Sequence, residues 1–437
     1  MIKKNGATGK GQKYLVLVLM VLSLCTIYVL PYLRYTYFTP LQNAMGLADN
    51  ATAYGSLISV YGIMNVICYL PGGIIADKFD AKKLLVFSMI SSGALGLWMS
   101  TWPSYNMLML INILWGITTV LTFWSSSVKC VNMLASDGEQ GQMFGLLEGG
   151  RGIVGLGLNA VWLAVFAYFS SQAGGEIQGI TVVVIGVSIL MILDGIALAF
   201  LLPKTDNSAA TNSNIKESLK AMVKCFTLPI TWVLAGVIFT CSAVGASASY
   251  YAPYLQGAFG MTAVMAATFA VFRSSGATIV AAPTFGFLSK KMGRSSFLMI
   301  VACTGLVVLQ VILRFAPTSA AFLWPMMIIM IFVIFFQAGN RAVYWAIIDE
   351  AGTPKNMVGS VIGVASIIGF LPDTFINTLF GSYLDNFELS VAYGKIFTFC
   401  ICCAVMGLTV SIIGERVIKK HQKAVKAAAA AAPVAAE

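Results

Sequence analysis

The chain has 437 residues, of which 58% are hydrophobic and only 10% are charged, against roughly 25% charged residues in ordinary soluble domains. Its formal net charge is +10, which in a soluble protein would suggest binding to nucleic acid. The apolar residues, however, lie in blocks of about twenty, the length at which a helix crosses a bilayer. This composition excludes a soluble enzyme and a nucleic-acid partner, and it predicts an all-α polytopic membrane protein.

Windows of about twenty residues predict membrane spans along the whole chain. Twelve spans are predicted, at 14–38, 53–75, 84–102, 105–128, 142–169, 180–202, 228–251, 262–288, 296–314, 320–347, 357–381 and 394–415. An even number of spans puts both termini on the same side of the membrane. Of the 27 Lys and Arg residues, 21 fall in the termini and the alternate loops of that side. Because basic loops stay in the cytoplasm, we predict cytoplasmic termini and a bacterial inner-membrane location.

The longest polar break divides the spans into two sets of six. It predicts a first six-helix bundle over 1–202, a cytoplasmic linker over 203–227 and a second bundle over 228–415. A basic, then Ala-rich cytoplasmic tail is predicted at 416–437, and its Ala-rich end at 427–437 is predicted to lack fixed structure. Glycines recur at a separation of 214 residues, in the pairs Gly62 and Gly276, Gly145 and Gly359, Gly149 and Gly363, and Gly155 and Gly369. Such internal repeats are typical of transporters with a substrate site between the repeats.

A glycine followed by acidic and basic residues stands between spans two and three and again, in degenerate form, between spans eight and nine. The residues concerned are Gly73, Asp77, Lys78 and Lys82 in the first copy, and Gly286 and Arg294 in the second. This pair of loops resembles the GxLADRxGRR motif of the major facilitator superfamily, with Asp80 and Ala81 where a glycine and a base are usual. The resemblance implies twelve helices in two bundles around a central cavity, and a loop cluster that breaks and re-forms as the carrier switches conformation.

The first span ends in Tyr32-Leu-Arg34, followed by Pro40. This stretch is similar to the entry region of the organophosphate:phosphate antiporters and the anion:cation symporters. The resemblance implies that Arg34 faces the cavity and binds the substrate anion. The chain departs from both families, since Leu33 replaces the usual acid of the symporters and span seven offers Gly245 and small residues instead of a second arginine.

Ionisable residues at membrane depth are costly and therefore mark functional candidates. Arg273, near the middle of span eight, has no acid one turn away. It therefore predicts binding of a substrate anion, for which a planar guanidinium is suited, a salt bridge to another helix, or snorkelling of the side chain to the lipid interface. In span ten, Gln337, Asn340 and Arg341 predict a polar wall, because the family resemblance places spans one, four, seven and ten at the cavity. The alternative for Arg341 is a link to Asp349 or Glu350.

Aromatic residues complete the predicted substrate site. Tyr28, Tyr32 and Tyr35 fall on one helix face by their spacing and line either the cavity or an interfacial belt. Trp124 in span four is added by the same resemblance.

Four further residues are predicted to serve proton coupling or gating. Asp373 and Asn377 lie one turn apart in span eleven, where a buried carboxyl can exchange a proton or form an ion pair. Glu148 and Arg151, three residues apart in span five, can pair directly as a structural or gating ion pair. Asp194 in span six is predicted to be structural.

The sequence as a whole predicts a monomeric secondary transporter, not an enzyme, with no cofactor and no metal. We expect it to move a small organic anion (a carboxylate, sugar acid or phosphorylated compound) by proton symport or anion exchange. The counter-solute is then a proton or a second anion. The alternatives are transport or export of neutral or cationic compounds, including drugs, and a non-transporting sensor of the same fold.

Overall fold

The computed structural model describes residues 10–134, 140–202, 223–354 and 357–431, and all regular elements within these ranges are helical. We number the α-helices in chain order. They are α1 Lys10–Thr26, α2 Phe38–Ala44, α3 Ala51–Lys78, α4 Ala81–Met99, α5 Tyr105–Gly116, α6 Ser125–Leu134, α7 Gln140–Ser170, α8 Gly175–Leu201, α9 Pro229–Ser247, α10 Tyr251–Phe259, α11 Ala263–Val271, α12 Ala277–Met292, α13 Ser295–Phe315, α14 Leu323–Val343, α15 Ile347–Glu350, α16 Val358–Gly369, α17 Pro372–Asn386 and α18 Leu389–Ala431.

Every one of the twelve predicted spans coincides with helical structure. Within the described ranges, ten helical segments are long and apolar enough to cross a membrane. The other two predicted spans correspond to α1, a shorter apolar helix, and to α4, which has 19 residues. Four of the long segments combine α-helix with a π-helical or 3₁₀ turn, including Ile117–Trp124 between α5 and α6 and Phe272–Gly276 between α11 and α12.

The prediction of one continuous helix over 14–38 is wrong. Helix α1 ends at Thr26, and a series of turns leads through a 3₁₀ turn at Leu33–Tyr35 into α2. The physical reason is Pro31, which has no N–H to donate to the carbonyl of Ile27 and whose ring crowds the preceding turn. Tyr28, Tyr32 and Tyr35 therefore do not share one face of a helix.

Two compact units are distinguished by their internal contacts. The first contains the described residues up to 202 together with Ala252–Val271 and Thr374–Asn386. Within it, α4 and α8 pack along most of their length, and α1 and α7 also lie against α8. Two segments of the chain's second half therefore belong to the unit that is built mainly from its first half.

The second unit contains the described residues of 223–251, Phe272–Asp373 and Phe387 onward. Helix α18 packs along α13 and α9, while α14 packs against α12 and α13. Its core is apolar and centred on α9, with residues such as Leu234, Val237 and Met299 buried. Most of the predicted linker lies outside the described residues. The prediction of an unstructured tail is wrong up to residue 431, because α18 continues to Ala431, as expected for alanine, the strongest helix former.

Candidate functional site

Asp373 and Ser242 meet within the second unit. Asp373 lies in the first turn of α17 and Ser242 near the middle of α9. The Ser242 hydroxyl donates a hydrogen bond of 3.0 Å to Oδ1 of Asp373. Both side chains are only half-buried, in contrast to most of α9 around them. The carboxyl is therefore held in place by a hydroxyl, while part of the Asp373 side chain remains exposed.

Arg341, on α14, supplies the positive charge beside this carboxyl. Its side chain is exposed, and its charge acts on both Asp373 and Cys241. The two charged groups form no ion pair at contact distance within the described part of the chain. Arg341 therefore keeps its guanidinium available while Asp373 balances it electrostatically.

Gln337 lies one turn before Arg341 and is 8% exposed. Its Nε2 donates a hydrogen bond of 3.1 Å to the carbonyl oxygen of Cys241. The same nitrogen would be 3.0 Å from a Cβ placed at Gly245, so the absence of a side chain at Gly245 leaves room for the amide. We call Ser242, Gln337, Arg341 and Asp373 the polar cluster.

The polar cluster combines three kinds of chemistry in one place. The guanidinium of Arg341 presents a planar fork that binds carboxylate or phosphate. The carboxyl of Asp373 can take up and release a proton, and the hydroxyl of Ser242 can donate to it. The cluster can therefore bind an anion and a proton at neighbouring atoms, without any covalent step.

Two residues predicted beside this cluster have fully buried side chains. Asn340 is 0% exposed, and its Nδ2 donates to Sγ of Cys303 at 3.4 Å, so the side chain points into the interior of the second unit. Asn377 is 1% exposed, although it lies one turn after the half-buried Asp373 in α17. The sequence spacing placed Asn340 and Asn377 close to charged partners but could not show which side of each helix is open.

Arg273 is buried, with 3% of its surface exposed, in the π-helical segment of the second unit. Its guanidinium carbon lies 5.5 Å from the centre of the Tyr251 ring. The Tyr251 hydroxyl in turn accepts a hydrogen bond of 3.2 Å from Nε2 of Gln310. The aromatic neighbour is part of the interior of this unit, and substrate contact by Arg273 stays a prediction.

Arg34 is also 3% exposed, in the 3₁₀ turn of the first unit. Its guanidinium carbon lies 4.9 Å from the Phe38 ring centre and 4.4 Å from that of Tyr54, and its Nη1 donates to the Tyr54 carbonyl at 3.2 Å. It borders a small recess that Asn112 and Trp115 also line. The predicted anion contact is thus enclosed by aromatic rings in this structure.

The predicted tyrosines lie close to one another in the first unit despite the break in the helix. Tyr32 packs edge-on against Tyr35 and Tyr61, with ring centres 5.7 and 5.5 Å away. The Tyr28 hydroxyl donates to the carbonyl of Thr119 at 3.2 Å. Tyr28, Tyr32 and Tyr35 are all half-buried. This face therefore presents aromatic edges and hydroxyl groups.

The remaining gating and aromatic candidates are placed as follows. Trp124 is 37% exposed at the end of the π-helical segment of the first unit. Arg151 is half-buried, and its carbonyl lies 3.5 Å from Sγ of Cys25. The side chain of Glu148 lies outside the described part of the structure, so pairing with Arg151 stays a prediction.

The two motif loops differ in their surroundings. In the first, Asp80 begins α4 by accepting a hydrogen bond of 3.0 Å from the Lys82 backbone N–H, and Nζ of Lys129 donates to the Ala76 carbonyl at 2.6 Å. Lys78 is exposed, and the side chain of Asp77 is outside the described residues. A Cβ at Gly73 would meet no atom within 4 Å.

In the second loop, Arg294 forms an ion pair with Glu415 of α18. The same carboxylate accepts a hydrogen bond from the Ser296 hydroxyl and lies 3.1 Å from Nζ of Lys419. Glu350 accepts from the Ser296 backbone N–H at 3.2 Å, at the N-terminus of α13. Gly286, like Gly73, has open space where a Cβ would stand. The degenerate copy therefore carries a complete charge cluster within its own unit.

Among the described residues, no group of three or more His, Cys, Asp or Glu side chains could hold a metal ion.

Comparison with known proteins agrees with this architecture. The family model of the Major Facilitator Superfamily matches residues 15–376. The chain is 32% identical over 371 residues to the inner membrane protein YqcE of Escherichia coli, covering 83% of this chain and 85% of that protein. It is 26% identical over 424 residues to the inner membrane protein YihN of the same organism, covering 94% and 97%. The chain belongs to the Major Facilitator Superfamily, whose members are membrane transporters and not enzymes.

Solved structures show the same fold. A bacterial homolog of the human lysosomal transporter Spinster matches with a TM-score of 0.70 at 14% identity, covering 94% of this chain and 99% of that one. A D-xylose-proton symporter matches with a TM-score of 0.69 at 16% identity, covering 92% and 97%. The predicted fold class, twelve helices in the major facilitator arrangement, is confirmed.

Sequence reasoning missed Ser242 and Tyr61. Ser242 is one of several serines and threonines in an apolar span, and such a hydroxyl can equally well form its hydrogen bond within its own helix. Tyr61 lies in span two, which the family resemblance did not assign to the cavity. In the structure, the half-buried positions of α9 recur every three residues, at Gly236, Phe239, Ser242 and Gly245, a pattern that residue types alone do not reveal.

Proposed function

We propose that this transporter moves a small organic anion together with a proton by alternating access. The observation that supports this most directly is the polar cluster, in which the exposed Arg341 acts on the carboxyl of Asp373 while Ser242 holds that carboxyl at 3.0 Å. Arg341 is then the anion contact and Asp373 the proton carrier. The proposal keeps the termini in the cytoplasm, since 21 of the 27 basic residues fall on that side.

The coupling follows from competition for one positive charge. When Asp373 is ionised, its negative charge balances Arg341 and weakens the attraction of the guanidinium for a second anion. When a proton from solution binds Asp373, the carboxyl becomes neutral. The positive charge of Arg341 is then no longer balanced, and it attracts the substrate anion more strongly. A carboxylate or phosphate then binds through paired N–H···O bonds. A monoanion and one proton would therefore travel together without net charge.

Arg34 and Arg273 have a different place in this proposal. Each residue is 3% exposed, and its guanidinium lies against one or more aromatic rings of its own unit. Substrate contact by either would require those rings to move aside. The first contact is therefore assigned to Arg341, and Gln337 is assigned to a neighbouring hydrogen bond with the substrate.

Transport of a neutral, hydroxyl-bearing solute is the second candidate. It is favoured by the electrostatic balance between Arg341 and Asp373, because a balanced pair can bind hydroxyl groups without needing an ionic ligand. The half-buried Tyr28, Tyr32 and Tyr35 of the first unit would suit such a solute. Among the proteins of the same fold are a D-xylose-proton symporter and a nucleoside transporter. Anion exchange without a proton is the third possibility.

The first experiment is a ligand-induced shift in the unfolding temperature of the detergent-purified protein, over a panel of carboxylates, sugar acids, sugar phosphates, neutral sugars and lipophilic cations. A ligand that binds only the folded protein stabilises it in proportion to the logarithm of its concentration. We expect an anion to stabilise the wild type and Arg314→Gln but not Arg341→Gln. Arg314 is the matched control, since it donates to Thr398 on the surface of the same unit.

The second experiment separates coupling from binding. In proteoliposomes, we expect Asp373→Asn to lose uptake driven by a pH gradient while retaining exchange of internal for external substrate. Wild-type uptake that requires internal anion and does not respond to the pH gradient would support anion exchange instead. Equal anion-induced stabilisation of Arg341→Gln and wild type, or stabilisation by neutral compounds alone, would overturn the anion proposal.

A further inference from the structure

Asp194 is a second buried acid that the proposed transport site does not use. It lies on α8 in the first unit and is 3% exposed. Its Oδ2 is 2.5 Å from Oγ of Ser23 on α1. Its Oδ1 is buried and has no hydrogen-bond partner among the described residues. A carboxyl in this setting has one short contact and one oxygen without a donor.

Counting hydrogen atoms at Ser23 indicates which group donates. Oγ of Ser23 lies 2.9 Å from the carbonyl oxygen of Leu19 as well as 2.5 Å from Asp194. A carbonyl can only accept, and a serine hydroxyl carries one hydrogen. If Ser23 donates to Leu19, as serines inside helices commonly do to the carbonyl four residues earlier, then the hydrogen in the contact with Asp194 has to come from the carboxyl.

The charge around Asp194 points the same way. The helices packed against α8 are α1, α2, α4 and α7. The charged side chains described on them are Lys13, Lys82, Lys83 and Arg151, and none of these forms an ion pair with Asp194. An ionised carboxyl buried with a single donor and no cation is strongly disfavoured in the membrane interior. A neutral carboxyl needs only one acceptor, and Ser23 provides it.

We propose that Asp194 is a proton-binding site of the first unit, which holds its proton and donates it in a hydrogen bond to Ser23. The bound proton joins α1 to α8 within the last turn of α1. The site is separate from Asp373, which lies in the other unit, and it stands whether or not transport is coupled to protons. The proton on Asp194 stays bound in the first unit and does not move with the substrate.

Infrared spectroscopy of the purified full-length protein at neutral pH tests this directly. The C=O band of a protonated carboxyl is distinct from the bands of ionised carboxylates and shifts in D₂O. We expect the difference between wild type and Asp194→Asn to show the loss of one protonated carboxyl. The matched variant Asp373→Asn should leave that band in place.

Ser23→Ala provides a test that keeps every carboxyl. Removing the acceptor should move the Asp194 band to higher frequency without removing it, because the carboxyl loses its hydrogen bond. Superimposable spectra of wild type and Asp194→Asn in this region would overturn the proposal, and so would a Ser23→Ala band unchanged in position. Since Asn is isosteric with Asp and retains a donor, Asp194→Asn should also unfold close to the wild-type temperature.

Discussion

The carboxylate of Asp385 caps the helix that carries Thr52. Its Oδ2 accepts hydrogen bonds from the Thr52 backbone N–H at 2.7 Å and from the Thr52 hydroxyl at 2.5 Å, and its Oδ1 accepts from the Ala51 N–H at 2.7 Å. Asn50 accepts from the next free N–H, that of Ala53, at 2.8 Å. The first N–H groups of α3, which have no partner within the helix, are thus satisfied by the end of α17 and by Asn50.

Removing this cap should destabilise the first unit. We expect Asp385→Ala to lower the free energy of unfolding by about 1 kcal/mol, the usual cost of losing a helix cap, and Asp385→Asn to lower it less because one acceptor remains. Asp49→Asn is the control, since it removes an exposed negative charge near the same helix end. Equal stability of Asp385→Ala and Asp49→Asn in thermal unfolding would show that the cap contributes nothing.

Two glycines of α3 should respond in opposite ways to substitution by alanine. A Cβ at Gly55 would clash with the backbone carbonyl of Asn377, whereas a Cβ at Gly73 would meet open space. We expect Gly55→Ala to destabilise the protein, because backbone cannot move aside as a flexible side chain can. Gly73→Ala should leave stability unchanged or raise it by up to about 1 kcal/mol through helix propensity.

The measurement is thermal unfolding of both variants, with transport assayed in parallel. If Gly73→Ala loses transport at wild-type stability, then a Cβ at this position interferes with a conformation of the transport cycle other than the one described. If Gly55→Ala unfolds at the wild-type temperature, the close approach of α3 and α17 is not tightly packed.

Removing the charge of Arg34 should destabilise the protein. Because its guanidinium lies against the rings of Phe38 and Tyr54, we expect Arg34→Gln to lose about 1–2 kcal/mol of stability, the range of a desolvated cation–π contact. The anion-induced rise in unfolding temperature should remain. A variant with wild-type stability but no response to the anion would instead confirm the predicted substrate contact of Arg34.

The charge cluster around Glu415 should depend more on Arg294 than on Lys419. Both bases are partly exposed, with side-chain exposures of 44% and 53%, while Glu415 is 8% exposed. We expect Lys419→Gln to change stability by less than about 0.5 kcal/mol, as for other exposed pairs within one helix. Arg294→Gln should cost more, since this residue joins α13 to α18 and not two turns of the same helix. The order is checked by thermal unfolding at low and high salt, and a larger loss for Lys419→Gln would contradict it.

Gly245 should control the position of Gln337. A valine at Gly245 would displace the Gln337 amide, which lies 3.0 Å from the Cβ position, and would break its bond to the Cys241 carbonyl. We expect Gly245→Val to raise KM for transport several-fold, with Gly276→Ala as a control because no atom lies within 4 Å of a Cβ there. An unchanged KM would remove Gln337 from the substrate site.

Part of the candidate site was predictable from the chain alone. Arg341, Gln337 and Asp373 stand out individually because polar and charged residues are rare in apolar spans. Ser242 did not stand out, and its partner Asp373 is 131 residues away. Arg34 and Arg273 have the same signal in sequence as Arg341, yet they are buried against rings while Arg341 is exposed. The type of a residue does not show whether its side chain points into the protein or towards solvent.

The sequence by itself determined that the chain forms membrane-length helices and that its motif loops resemble those of the family, and it predicts a division into two sets of six. Length and periodicity are imposed locally, because the bilayer has a fixed thickness and unpaired backbone groups are costly in lipid. Only the tertiary structure decided that Ser23 meets Asp194, that Asp385 caps α3 and that Ser242 holds Asp373. Each of these contacts joins residues more than 100 positions apart. Their formation depends on how helices rotate and cross, which is set by packing across the whole bundle and not by any one segment.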